Sequence, residues 1–210
     1  MPYLNHPPIR DLIRALPVAE HSVEVEAEFW RPVCENAGRL AEHDALFAGQ
    51  TSIRISRQWL HGALTVPATA RSLAILFWGY PSGARGDLHR GWLENLPQIT
   101  AAASESGLAW PDYYARLHVL GGLGISTITK LACFWQQSFS GHEALVLDQR
   151  ILRVIAARRW AELGPLQNLT YLNAHRHYAE YLATMTGVAV AGGMTAEQLE
   201  FFLFALGESF

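Results

Sequence analysis

LHVLGGLGISTITK, residues 117–130, decides how this chain is read. One helical stretch ends at Leu120, glycines stand at 121, 122 and 124, and a second helical pattern starts near Ile125. Glycine has no Cβ, so it accepts positive φ and lets another backbone or an anion come close. The N–H groups at the start of the next helix lack intrahelical acceptors and carry partial positive charge, which suits a phosphate. Leu123, between the glycines, can pack inward and fix the turn. The stretch therefore reads as two helices joined by a hairpin able to grip a phosphate. A glycine-rich stop between two ordinary helices has the same pattern. The stretch ends on Lys130, the sole lysine of the chain; the other fifteen basic residues are arginines.

Working outward, most of the chain reads as helix. Pro7 and Pro8 precede an apolar-periodic stretch that Pro17 stops. Ser22 is expected to cap a helix through Trp30, with Pro32 kinking or restarting it toward Leu40. Residues 51–60 alternate weakly and read as a short strand or irregular chain. Pro67 and Pro111 stand at helix starts. Residues 80–87, YPSGARGD, read as a loop. Asp148 fits the N-cap of a helix with Ile151, Leu152, Ile155 and Trp160 inward, and Thr195 with Gln198 forms a capping box. The fold expected is all-α, a single helical domain over residues 1–210.

Composition narrows the classes. Half of the 210 residues are hydrophobic and 17% are charged, enough for a sizeable core and too apolar for a disordered tail. No apolar run approaches the ~20 residues of a membrane span. The start, MPYLNHPPIR, lacks the pattern of a secretory signal. Two cysteines, Cys34 and Cys133, exclude a four-cysteine cluster and read as buried thiols of a reducing compartment. A cytoplasmic monomer is the expectation. Net charge is −3, but residues 113–180 hold seven bases against four acids, with four histidines beside them. A local basic face matters more for phosphate contact than overall charge does.

Eighteen residues beyond Lys130 stands Asp148, after an apolar connector and at a helix start. This order, LGGLG then VLDQRILR, resembles the helix-hairpin-helix-GPD superfamily of DNA glycosylases. GLGISTITK and ALVLDQRI are most similar to 8-oxoguanine-glycosylase-like bacterial proteins. The likeness covers residues 113–160; elsewhere it is only helical character. It implies two helical lobes with a DNA-binding cleft between them, double-stranded DNA as partner and excision of a damaged base, such as 8-oxoguanine, as activity. It implies Asp148 as catalytic carboxylate and Lys130 as the nucleophile of a Schiff-base lyase. Gly122, Leu123, Gly124 and Ser126 would form the phosphate-binding hairpin. Arg150 and Arg153, just past Asp148, read either as phosphate contacts or as a solvated helix face. The commonest hairpin has Pro where Gly121 stands. Many bifunctional members place their lysine where this chain has Ser126, one helical turn before Lys130. Ser126 itself is similar to the serine of essentially monofunctional adenine glycosylases.

The residue types fit that chemistry. Losing a base leaves a cationic sugar, which a carboxylate stabilises. A lysine attacks only when neutral, and burial among Leu131, Phe134 and Trp135 would lower its pKa. Arginine stays protonated and cannot serve. Lys130 as a phosphate contact, or as a partner of Asp148 or Glu143, is the alternative. An extruded base needs flat neighbours, and Trp78, Tyr80, Trp92 and Trp135 are the candidates. No cofactor and no metal is called for: His175 and His177 fall on nearly opposite helix faces, so with His142 they make poor joint ligands. The rival readings are a monofunctional glycosylase using Asp148 and water, a non-catalytic helix-hairpin-helix DNA-binding protein, and an unrelated helical interaction protein.

Overall fold

Pro7 and Pro8 open α1 (Pro7–Ala15), because the first turn of a helix leaves unpaired the N–H that proline lacks. The computed structural model describes residues 3–62, 65–83, 88–121 and 123–209, with backbone alone at 88 and 89. Gly122 and most of the Gly/Arg-rich loop, residues 84–87, lie outside the described residues.

The helix expected from Ser22 is a correction. Residues 22–26 form β1 (Ser22–Glu26), antiparallel to β2 (Ser52–Ser56), with Val23 opposite Ile55 and Val25 opposite Ile53. SVEVE alternates β-branched with charged residues, a period of two that suits a strand once apolar cross-strand partners exist. Val25 and Ile55 are buried. The helix begins only at Ala27, as α2 (Ala27–Asn36), with Pro32 inside it, and α3 (Leu40–Phe47) follows. α4 (Arg57–Gly62) continues directly from β2.

α5 (Ala68–Gly79) is the centre of the molecule; every residue from Ala70 to Trp78 is buried. Such all-round burial marks a helix surrounded by others. α6 (Leu88–Glu94), α7 (Leu96–Ser104) and α8 (Trp110–Val119) follow, the last opened by Pro111 as expected. α9 (Ile125–Phe134) packs on α5 and α8. Residues 138–147 are not helical. β3 (Ser138–Phe139) and β4 (His142–Glu143) make a short hairpin, and an extended stretch leads to Asp148. α10 (Gln149–Ala156) starts there, α11 (Ala174–Gly192) is the longest described helix, and α12 (Ala196–Ala205) carries the expected Thr195–Gln198 capping box. The fold is mostly helical, and its buried apolar side chains form one continuous cluster from Leu4 to Leu203. Among the described residues no helix is long and apolar enough to cross a membrane.

Candidate active site

The turn between α8 and α9 is built around close approaches. Gly121 has φ +97°, and a Cβ there would lie 2.8–2.9 Å from the Gly91 carbonyl and the Trp92 nitrogen. Only glycine fits both the conformation and the space. Leu123 packs into the core, as expected, and its carbonyl accepts from His118 Nδ1 at 2.8 Å. Gly124 precedes α9 in extended backbone, and Tyr171 Oη sits where its Cβ would be. Gly124, the N-cap of α9, has no side chain to accept from the first N–H groups of the helix.

Lys130 is 8% exposed. Its Nζ donates to Ser126 Oγ at 2.7 Å, the partner one turn earlier. Its methylenes fill space left by Gly79, where a Cβ would meet Lys130 Cδ at 3.2 Å. The Tyr80 ring centre is 6.0 Å from Nζ, and Tyr80 is anchored through its hydroxyl to Thr127 Oγ1 at 2.9 Å. Burial pushes the ammonium pKa below the ordinary lysine range. The charges of Asp148 and Glu200 oppose this and that of Arg57 adds to it.

Asp148 caps α10: its Oδ1 accepts from the backbone N–H of Arg150 at 2.9 Å and of Ile151 at 3.1 Å. The extended segment before it is held at each residue. Tyr178 bonds both the N–H and the carbonyl of Leu145, and Tyr181 donates to the Val146 carbonyl at 3.0 Å. Leu147 N–H donates to Thr129 Oγ1 at 3.0 Å. No Lys130–Asp148 ion pair closes within 4.0 Å.

Both residues nevertheless share a wall. A cavity of about 350 Å³ is lined by Lys130 and Asp148 with His21, Arg57, Trp78 and Phe204. A second, of about 360 Å³, is lined by Lys130 and Asp148 with Tyr80, Ser126, Gln149 and Tyr171. Gly79 also borders both. The first is within the size range of small-molecule sites, about 300–1,000 Å³. His21 lies against Trp78, Phe201 and Phe204, and burial, then the Arg57 charge, lowers its pKa to about 4. It is therefore neutral at pH 7. Arg57 forms a bidentate pair with Glu200 at 2.8 and 2.9 Å. Burial disfavours the guanidinium charge, but Glu200 outweighs it and holds Arg57 protonated. Three buried polar atoms of cavity-lining residues have no protein partner: His21 Nδ1, Trp78 Nε1 and Arg57 Nε.

Residues 16–204 match the model of a family described as "Putative 8-oxoguanine DNA glycosylase OGG-like protein". The chain belongs to this family. Among curated proteins and among solved structures, nothing matches significantly. Of the side chains singled out from the sequence of this OGG-like chain, Lys130, Asp148, Ser126, Trp78, Tyr80 and Arg150 come together at the two cavities. Trp92 and Trp135 do not: Trp92 is in the core, and Trp135 stacks on the Arg71 guanidinium at 4.5 Å and donates to Ser72. Arg153 pairs with Glu208 at 2.8 Å. Arg150 lies over the Phe204 ring at 5.0 Å. His21, Arg57, Gly79, Tyr171 and Phe204 escaped sequence reasoning. They come from distant segments with no motif, and only the folded core brings them to Lys130.

Proposed function

We propose that this OGG-like chain is a DNA glycosylase that excises an oxidised purine, 8-oxoguanine in the first place, and cleaves the strand through Lys130. One observation carries the reading: Lys130 and Asp148 stand on the wall common to two cavities. An N-glycosidic bond joins a flat base to a sugar. A site that breaks it needs one chamber for each and its reacting groups at the junction.

The extruded base enters the first cavity, beside the Trp78 and Phe204 rings. The rings give it flat stacking surface, and His21 beside them is neutral. The sugar lies in the second cavity. Its phosphate meets the uncapped start of α9, with Gly124 and Ser126 in contact, and the DNA lies along a cleft at that edge.

Asp148 stabilises positive charge developing on the sugar as the C1′–N9 bond breaks and the base leaves with the bonding pair, taking up a proton. The neutral Lys130 amine, lowered in pKa by burial, adds its lone pair to C1′. Loss of the amine proton and opening of the sugar ring at O4′ give a Schiff base. Loss of a C2′ proton then expels the 3′ phosphate by β-elimination, and water releases Lys130. Ser126 holds the amine in place before attack.

The test is incubation of wild type and Lys130→Ala with an 8-oxoguanine duplex and borohydride. Excision with a reduced covalent adduct in wild type alone supports the reading. Excision without adduct in either protein assigns Asp148 and water to the chemistry and removes the lyase step. No excision of any oxidised purine overturns the enzymatic reading.

A further inference from the structure

A second cluster stands apart from this site. We infer that His61, Cys133 and Glu197 form a binding site for a divalent metal ion, of the chemistry that suits zinc. One donor atom from each lies within 4.8 Å of the others. They come from α4, α9 and α12 respectively, so the cluster exists only in the folded chain.

A cavity of about 340 Å³ opens onto the three, with Gln136, Gln137 and Glu143 around it. Cys133 is its buried floor, while the His61 and Glu197 side chains are 32% and 33% exposed, which leaves an entry path. His61 is already fixed for the task. Gln136 Nε2 donates to its carbonyl at 3.0 Å, and its Nε2 stands 3.2 Å from Glu197 Oε1. Thiolate, imidazole and carboxylate are the donor types of borderline-soft zinc. Three protein ligands leave a fourth position that the cavity can fill with water.

The charges also balance. Arg57 lies 3.1 Å from Glu197 Oε1, and a bare guanidinium there would repel a cation. Its bidentate partner Glu200 neutralises it. A Cys133 thiolate and the Glu197 carboxylate then cancel the two charges of the ion. Binding releases the Cys133 thiol proton to solvent, so affinity rises with pH. The ion would clip α4 and α12 onto the end of α9, the helix that carries Lys130. None of this depends on the glycosylase reading.

The test is titration of the metal-free chain with Co²⁺ as a spectroscopic probe, followed by displacement with Zn²⁺. One equivalent of Co²⁺ is expected to give an intense near-ultraviolet thiolate-to-cobalt band. Cys133→Ser removes it, His61→Ala weakens binding at least about tenfold, and Lys130→Ala leaves it intact. Absence of the band at one equivalent overturns the inference, as does a band that survives Cys133→Ser. Circular dichroism checks each fold. Should Cys133→Ser fail to fold, unchanged affinity in His61→Ala overturns the inference as firmly.

Discussion

The Thr129 hydroxyl accepts a hydrogen bond from the Leu147 N–H at 3.0 Å. The residue before Lys130 is thereby tied to the residue before Asp148. The two proposed reacting groups sit on separate elements, one inside α9 and one at the cap of α10. This buried bond is a direct link between them. The spacing of the pair is thus a property of the core, set before any DNA arrives.

Thr129→Val keeps the shape and removes the acceptor. It leaves a buried N–H unpaired, which costs about 1–3 kcal/mol. Stability is expected to fall by that amount in denaturant titration, and excision to slow at saturating substrate with little change in duplex affinity. Thr129→Ser is expected to restore both. A loss in the Ser variant with none in the Val variant would mean that packing, and not the bond, positions the pair.

Gly121→Ala tests the turn. The residue would be forced to φ +97° and its Cβ would press on the Gly91 and Trp92 backbone. Backbone strain of this kind costs about 1–3 kcal/mol, and the clash adds to it. Gly107 also has positive φ but open space around its Cβ position, so Gly107→Ala is expected to lose less. Thermal melts of the two variants compare strain with and without collision.

Lys130 carries an opposed pair of effects. Its folded pKa lies below the ordinary value of about 10.5. The unfolded chain therefore binds the proton more readily, and this group's contribution to stability is unfavourable at neutral pH and recovers as pH rises toward about 10.5. Lys130→Met fills the same space without the amine. It forfeits the bond to Ser126 but sheds the cost of burial. Its melting temperature at pH 7 is expected to equal or exceed that of wild type while borohydride trapping disappears. A clear drop would mark Lys130 as a structural residue.

His21 adds a pH dependence of its own. Its folded pKa is about 4, against about 6.5 in an unfolded chain. Between those values the unfolded state takes up a proton that the folded state excludes. Stability is therefore lost as pH falls from about 6.5 toward about 4, and is insensitive to this group above that window. His21→Phe is expected to flatten the acid slope of stability relative to wild type. Parallel slopes would contradict the assignment.

The sequence made the local features legible and left the assembly hidden. Pro7, Pro67 and Pro111 mark helix starts, and Asp148 and Thr195 mark caps, because these signals depend on a few neighbouring residues. Ser22–Glu26 misled because its strand depends on Ile53 and Ile55, thirty residues away. Lys130 stood out by its rarity and Asp148 by its place after the connector. Of the residues expected to bury Lys130, Trp135 at the end of α9 stacks on Arg71 instead, while Gly79 and Tyr80 at the end of α5 lie against the lysine. His21 and Phe204 lie near opposite ends of the chain, and no spacing rule brings them to one cavity.

Peptide mapping of the borohydride-reduced protein–DNA adduct tests the central claim most directly. With a single lysine, the chain offers two kinds of amine, the Lys130 Nζ and the terminal amino group. Mass spectrometry is expected to place the sugar remnant on the peptide containing Lys130. A remnant on the terminal peptide, with Lys130 unmodified, would contradict the account.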